Sequence, residues 1–185
     1  MGMAASIPYY TVDDLDRFPD DGNRYELLDG VLLVTPAPNQ MHQVIAARLI
    51  MLLGQGLASR GARVTGPGVV QRMPRTQLEP DVLVYAARWP VNAPWTAITG
   101  HWLAVEIFSR SSKVYDREFK RAAYLALGVR EVWLVDASER TVETFSATRP
   151  PEVFHERVSL GVPELERIVE ITLDELFEGM DDAMV

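Results

Sequence analysis

The sequence predicts an α/β domain in which helices cover a mixed β-sheet. Three observations predict it: apolar runs typical of buried strands at 79–85 and 102–108, an Asp-Gly pair between two apolar runs near residue 30, and helical spacing of apolar residues between 39 and 59. Strand and helix patterns alternate through the middle of the chain, and this alternation favours a mixed sheet flanked by helices.

The length and composition indicate one globular domain, residues 1–185, large enough for a hydrophobic core. The hydrophobic share of 48% and the charged share of 24% are ordinary for a soluble protein. The chain contains no cysteine, which excludes disulfides and thiolate metal sites and makes the cytoplasm the expected location. Residues 1–10 do not read as a signal peptide, and the apolar stretch 44–53 is interrupted by Arg48 and too short to span a bilayer.

The net charge of −8 and pI of about 4.9 argue against a protein that coats nucleic acid with a broad basic surface. They do not exclude a nuclease, because bound divalent cations reverse the local field at a cluster of acids. The acids between 164 and 182 are predicted to be a solvated surface.

The first half of the chain predicts a helix start, a hairpin and a long helix. Thr11 with an acid three residues later is typical of a capped helix start. Segments 24–28 and 31–34 flank Asp29-Gly30 and predict a β-hairpin, which Pro36 and Pro38 end. Asn39 is placed to cap a helix that runs to about residue 59. The apolar positions of that helix are Met41, Ile45, Leu49, Leu52 and Leu53.

The second half predicts further strands around one more helix. Segment 61–75 reads as one or two strands broken by Gly66-Pro67-Gly68, and the strand with Asp81 follows. After a loop at 88–100 come the strand with Glu106 and a helix that ends near Gly128, a suitable C-terminal cap. Segments 131–136 and 141–146 are predicted to pair. Short strands and a small helix around 174–177 complete the chain.

Two carboxylates within the apolar runs are the best candidates for chemistry. Asp81 and Glu106 lie in predicted buried strands, where an ionised carboxylate is costly unless it is paired or holds a cation. If the strands are neighbours, the two groups converge at one edge of the sheet and suit Mg²⁺ or Mn²⁺. Such an ion activates water and polarises a phosphate, and a nearby lysine such as Lys120 stabilises developing negative charge. The pattern therefore suggests a metal-dependent phosphodiester site.

The sequence resembles the PD-(D/E)XK nuclease superfamily with its restriction-endonuclease-like fold and, more closely, a bacterial family of restriction-endonuclease-like proteins whose biological role is largely unknown. The resemblance spans about residues 11–146. It rests on Arg24-Tyr25-Glu26-Leu27-Leu28-Asp29-Gly30, Pro36-Ala37-Pro38 with His42, Glu79-Pro80-Asp81-Val82-Leu83-Val84, Val105-Glu106-Ile107-Phe108-Ser109, Lys120 with Tyr124, and the run from Gly128 to Asp136. It implies a restriction-endonuclease-like core with an N-terminal hairpin and long helix, and Asp81, Glu106, Lys120 and Glu26 as catalytic residues.

One position departs from the superfamily pattern. That pattern places a lysine two residues after the strand acid, where this chain has Phe108. The resemblance implies that the lysine has moved to the following helix as Lys120. Asp116, Lys120 and Tyr124 are spaced to share one helix face, opposite an apolar face with Phe119, Ala122, Ala123, Ala126 and Leu127. Lys113 is the competing candidate.

Structural readings of the same residues stay open. Asp81 alone is also explained as a partner for an arginine or a backbone cap, and Lys120 as a solvated lysine. Glu26 is expected either to assist at the metal or to form a salt bridge with Arg24 or another base. His42 is placed either to contact a phosphate or a metal-bound water, or to take a capping or packing role in its helix.

The expected function is metal-dependent hydrolysis of DNA phosphodiester bonds, with Mg²⁺ or Mn²⁺ bound by Asp81 and Glu106. Many nucleases of this fold cut both strands as dimers, so the resemblance implies a possible homodimer, and no membrane partner is expected. One alternative is a degenerate nuclease fold that binds nucleic acid or protein without cutting. Another is a phosphoesterase that acts on RNA or nucleotides.

Overall fold

The computed structural model describes residues 9–108 and 119–180. Short 3-10 helices at Val12–Arg17, Ala58–Arg60, Trp95–Ala97 and Pro163–Leu165 join the longer elements. The helices are α1 (Gln40–Leu57), α2 (Arg121–Ala126) and α3 (Leu173–Leu176). The strands are β1 (Arg24–Leu28), β2 (Val31–Thr35), β3 (Ala62–Thr65), β4 (Val70–Arg72), β5 (Thr76–Leu78), β6 (Val82–Ala86), β7 (Leu103–Phe108), β8 (Glu131–Asp136), β9 (Thr141–Ser146), β10 (Glu152–Phe154), β11 (Arg157–Val162) and β12 (Arg167–Thr172).

A six-stranded sheet in the order β10-β9-β8-β7-β6-β3 forms the centre of the fold. Its strands are antiparallel except for the parallel pair β7 and β8, so the predicted mixed sheet is confirmed. A four-stranded sheet, β2-β1-β5-β4, and the hairpin β11-β12 complete the strand structure. The predicted mixed α/β fold class with an N-terminal hairpin and a long helix is therefore confirmed.

The N-terminal hairpin turns at Asp29-Gly30, as the sequence predicts. Both turn residues have positive φ, 49° and 86°, which is the geometry that Asp-Gly adopts readily in a two-residue hairpin turn. The register sets Glu26 opposite Leu33. The side chains of Arg24 and Glu26, two residues apart on one strand, therefore extend from the same face of β1. The capping box that begins the first 3-10 helix, Thr11 with Asp14, is also present.

The long helix α1 packs one face against the central sheet. Ile45, Leu49, Leu53 and Leu57 are fully buried in a cluster that includes inward-facing residues of β7, β8, β11 and β12. By length and composition alone, the segment Gln40–Arg60 is long and apolar enough to cross a membrane. This is weak evidence for a membrane span, because the core helix of a globular protein can have the same length and composition. The Asn39 side chain accepts a hydrogen bond from the backbone N–H of His42 at 2.9 Å, as expected of an N-terminal cap.

A second apolar cluster fills the opposite face of the central sheet. Leu83, Ala104, Phe108 and Leu134 project there, and Tyr124 of α2 packs on them. Lys120 and Tyr124 lie on the buried side of this segment, 3% and 0% exposed, because they contact the buried carboxylate of Glu106. The apolar Phe119 is 50% exposed.

The strands that carry the candidate carboxylates are direct neighbours. β6 and β7 are antiparallel with Val82 opposite Val105, so continuing the register by one residue sets Asp81 opposite Glu106. The regular strand begins at Val82, not at the predicted residue 79, because Pro80 has no N–H to donate to a ladder. A Cβ at Gly66 would lie 2.4 Å from the Asp81 carbonyl oxygen. The bend after β3 can approach Asp81 this closely only with glycine there.

The buried His101 predicts acid sensitivity that is independent of the candidate site. It is 4% exposed, and both ring nitrogens lack a partner among the described residues. Burial lowers the pKa of His101 to about 4 from an ordinary value of 6.5. The unfolded chain therefore takes up a proton between pH 6.5 and pH 4 that the folded protein resists, and the free energy of unfolding falls as the pH falls through this range.

From this shift we expect His101 to reduce the free energy of unfolding by about 2 kcal/mol between pH 7 and pH 5. Urea denaturation at the two pH values, on the wild type and on His101→Leu, isolates this contribution because the variant cannot titrate at this position. An equal pH dependence in the two proteins would show that the histidine is solvated or paired in solution.

Candidate active site

Five ionisable side chains from distant parts of the sequence line one cavity of about 220 Å³. Arg24 comes from β1 and His42 from the first turn of α1. Asp81 lies immediately before β6, Glu106 lies within β7, and Lys120 lies immediately before α2. The cavity therefore lies at the end of the central strands β6 and β7, where the two predicted carboxylates meet.

Asp81 is buried and accepts three hydrogen bonds. Its Oδ1 accepts from the guanidinium of Arg24 at 2.9 Å. Its Oδ2 is 2.9 Å from Nε2 of His42 and accepts from the backbone N–H of Ile107 at 2.8 Å. The last bond ties the segment before β6 directly to β7, beside Glu106. Both oxygens of Asp81 are thus compensated, as a carboxylate that is 4% exposed requires.

These contacts keep Asp81 ionised and Arg24 charged. Burial alone raises the pKa of Asp81, but the hydrogen bond and charge of His42, the charge of Arg24 and the Ile107 amide lower it below its ordinary value. Burial likewise opposes the charge of Arg24, and the carboxylates of Asp81, Glu106 and Glu26 outweigh it and raise its pKa. The site therefore holds a stable anion at neutral pH.

A second chain of contacts centres on Lys120. Its Nζ donates to Oε2 of Glu26 at 2.5 Å and to Oε1 of Glu106 at 3.5 Å. The other oxygen of Glu26 accepts from the backbone N–H of Glu79 at 2.7 Å. Glu26, Glu106 and Lys120 are each at most 4% exposed along their side chains, so this is a buried ionic network. Such a network is stable only with every charge paired.

Tyr124 completes the network from one helical turn beyond Lys120. Its hydroxyl donates to Oε1 of Glu106 at 2.5 Å, and the residue is fully buried. Burial raises the pKa of Tyr124 well above its ordinary value, and the charges of Glu106 and Glu26 add to this effect. The hydroxyl therefore remains a proton donor, and it fixes the position of the Glu106 carboxylate.

We expect Tyr124→Phe to lower the free energy of unfolding by about 1.5–3 kcal/mol, the usual worth of a hydrogen bond to a charged group. Urea denaturation measures it. Tyr25→Phe is the matched control, because its hydroxyl bonds to Asp21 at the surface and its loss is expected to cost less than about 0.5 kcal/mol. Equal effects of the two substitutions would contradict a buried bond to Glu106.

The structure brings together all four residues predicted to be catalytic. Asp81, Glu106 and Lys120 line the cavity, and Glu26 lies behind them, paired with Lys120. Phe108, which occupies the usual lysine position on the strand, also lines the cavity. The helix lysine thus lies within reach of Glu106, as the resemblance implied. Asp116 and the competing Lys113 lie outside the described residues.

Two further residues, Arg24 and His42, contact Asp81. The sequence suggests Arg24 as a partner for Glu26, whereas the structure pairs it with Asp81. Its spacing of two residues from Glu26 on a strand was the signal that could have placed it on this face. His42 contacts the carboxylate of Asp81 through Nε2. The other ring nitrogen of His42, Nδ1, is buried without a hydrogen-bond partner among the described residues.

The donor set is compatible with a hard divalent cation. Within residues 9–108 and 119–180, no group of three or more His, Cys, Asp or Glu side chains is arranged as a metal site. Mg²⁺, however, binds commonly through one or two carboxylates plus water and substrate oxygens, and Asp81 and Glu106 supply two carboxylates on one cavity wall. A cation at Asp81 would compete with Arg24 and His42 for its oxygens.

Comparison with known proteins agrees with this geometry. Residues 12–174 match the family described as "Uma2: Putative restriction endonuclease". The fold is similar to the crystal structure of "a putative nuclease belonging to DUF820" from Anabaena variabilis, with a TM-score of 0.74 and 20% identity over 91% of this chain and 97% of that chain. A search of curated proteins finds no match. The resemblance drawn from the sequence is thus confirmed, and because the family match spans most of the chain, the protein belongs to the Uma2 family.

Proposed function

We propose that this protein is a nuclease that hydrolyses DNA phosphodiester bonds with the help of a divalent cation. The observation that carries the proposal is the position of the buried Lys120 ammonium beside Glu106, in the same cavity as Asp81. Family and fold support a nuclease. Two carboxylates and a lysine in one cavity supply the groups that phosphodiester hydrolysis needs.

Each residue has a role in this proposal. Asp81 and Glu106 would hold Mg²⁺ or Mn²⁺, which when bound polarises a phosphate oxygen and lowers the pKa of water. Lys120 would donate to the phosphate or orient the attacking water, since its ammonium reaches into the cavity wall. Glu26 would hold Lys120 in place through the 2.5 Å contact, and Tyr124 would hold Glu106.

A degenerate, non-cutting member is the second candidate, and one observation favours it. Both oxygens of Asp81 already accept bonds from Arg24, Ile107 or His42, so a cation would compete with the positively charged donors that hold this carboxylate. In that case the same cavity would bind a partner without cleavage.

The nuclease proposal also includes a homodimer and a cytoplasmic location. The homodimer comes from the family resemblance, and the location from the absence of cysteine.

Cleavage of a substrate panel tests the proposal. Supercoiled plasmid, single- and double-stranded DNA oligonucleotides, RNA and nucleotides would be incubated with the full chain in Mg²⁺, Mn²⁺ or EDTA. We expect DNA cleavage that requires the cation and is lost in Glu106→Gln. Cleavage of RNA or nucleotides but not of DNA would overturn the proposal that DNA is the substrate. If no substrate is cleaved, the degenerate, non-cutting candidate would be favoured.

A further inference from the structure

A second, more open groove of about 570 Å³ lies beside the site cavity. The 3-10 helix Val12–Arg17, the segment after it, β1 and β5 form most of its wall. Arg24, Ala37 and Pro38 line both the groove and the cavity, so the two spaces are contiguous along these residues. We call this space the outer groove. Its volume lies within the usual range for small-molecule sites.

The outer groove has flat aromatic and apolar surfaces. Phe18 and Tyr25 stack on each other with ring centroids 4.9 Å apart and an interplanar angle of 17°, and both line the groove. Pro19 and Pro38 add apolar wall. Stacked aromatic rings beside proline surfaces are suited to a planar ring, because every nucleobase has a π-face that can lie against them.

The polar groups of the groove are mainly acceptors of hydrogen bonds. Asp16, Asp20 and Glu79 contribute carboxylates, and Gln77 contributes an amide. Among the described lining residues, Arg24 is the single cation, and it lies at the boundary with the site cavity. A phosphate would be repelled along most of this groove, whereas an uncharged base with an exocyclic amine would find carboxylate and amide acceptors.

We propose that the outer groove binds an unpaired nucleobase, the base of a nucleotide next to the scissile phosphate. This inference rests on the proposed function for the position of that phosphate. The strand would leave the site cavity past Arg24, and its next base would enter the groove. Adenine and cytosine, which carry exocyclic amines, would be preferred over thymine, which carries none.

The proposal also accounts for how a chain of net charge −8 can act on nucleic acid. A broad basic surface is needed to hold many phosphates of a duplex. A pocket for one base obtains affinity from stacking and hydrogen bonding, which do not require that surface. The substrate class that fits is single-stranded nucleic acid, or a duplex with an unpaired base at the cut.

Nucleoside titration of the ¹⁵N-labelled full chain tests the proposal without any cleavage. Deoxyadenosine, deoxycytidine and thymidine, which carry no phosphate, would be added in EDTA. The side-chain amide signals of Asn23 and Gln77, which both line the groove, would be followed by NMR. We expect saturable shifts, with a Kd for deoxyadenosine and deoxycytidine about three- to tenfold lower than for thymidine. Inorganic phosphate should leave these signals unchanged.

Gln77→Leu should weaken the binding of both amine-bearing nucleosides by about three- to tenfold. Gln71→Leu is the matched control, since Gln71 is the register partner of Gln77 and does not line the groove. Asp20→Asn, at an exposed position, should reduce the preference for the two amine-bearing nucleosides over thymidine. This second variant keeps the test valid if Gln77→Leu fails to fold.

No saturable shift with any nucleoside, or equal Kd values for all three, would overturn the proposal. The proposal would also be overturned if Gln77→Leu and Asp20→Asn both kept the wild-type preference for deoxyadenosine and deoxycytidine over thymidine. The two proposals fail separately: cleavage without nucleoside binding would refute the groove alone, and nucleoside binding without cleavage would refute the nuclease alone.

Discussion

Replacing Lys120 with methionine should lower the free energy of unfolding by about 3–5 kcal/mol, the usual cost of removing one partner from a buried ion pair. The substitution keeps most of the side-chain volume but leaves Glu26 and Glu106 buried without their shared cation. Urea denaturation at pH 7 measures the loss.

Arg157→Met is the control for the loss of an ion pair at the surface. Arg157 pairs with Glu170, and both side chains are more than half exposed, so its removal should cost less than about 1 kcal/mol. A loss of this small size for Lys120→Met as well would mean that Glu26 and Glu106 are solvated in solution. The network around Lys120 would then not exist as described.

Asp81→Asn should reduce the rate of DNA cleavage by at least about 100-fold. A neutral amide is a poor ligand for a hard cation, and it offers one acceptor oxygen where the carboxylate offers two. The measurement is single-turnover cleavage in Mg²⁺, with circular dichroism to confirm that the variant is folded. Asp29→Asn makes the same chemical change at the exposed hairpin turn and should leave the rate unchanged. Unchanged cleavage in Asp81→Asn would remove this residue from the mechanism.

The strands and the hairpin could be predicted because local chemistry determines them. Asp29-Gly30 supplies the positive φ values that the turn requires, and the short apolar runs around Val84 and Val105 are typical of buried strands. The close approach of Asp81 and Glu106 followed from adjacent strands and the period-two alternation of side chains. Lys120 was added from the family resemblance.

The remaining features depend on long-range contacts that no local pattern contains. Sequence spacing placed Lys120 and Tyr124 on one helix face, but only the tertiary contacts with Glu106 show that this face is buried. The separation of β5 from β6, and its pairing with the hairpin, depends on the proline at 80 and on tertiary packing. The pairing of Arg24 with Asp81 joins residues 57 positions apart, which explains why sequence reasoning assigned Arg24 elsewhere.

The most direct test of the shared cation site is calorimetric titration of Mn²⁺ into the wild type, Asp81→Asn and Glu106→Gln, each with and without a DNA oligonucleotide. We expect saturable binding by the wild type in at least one of these conditions. We also expect each substitution to weaken that binding by at least about tenfold while the protein stays folded. Absence of binding in both conditions, or binding indifferent to both substitutions, would contradict the two-carboxylate site.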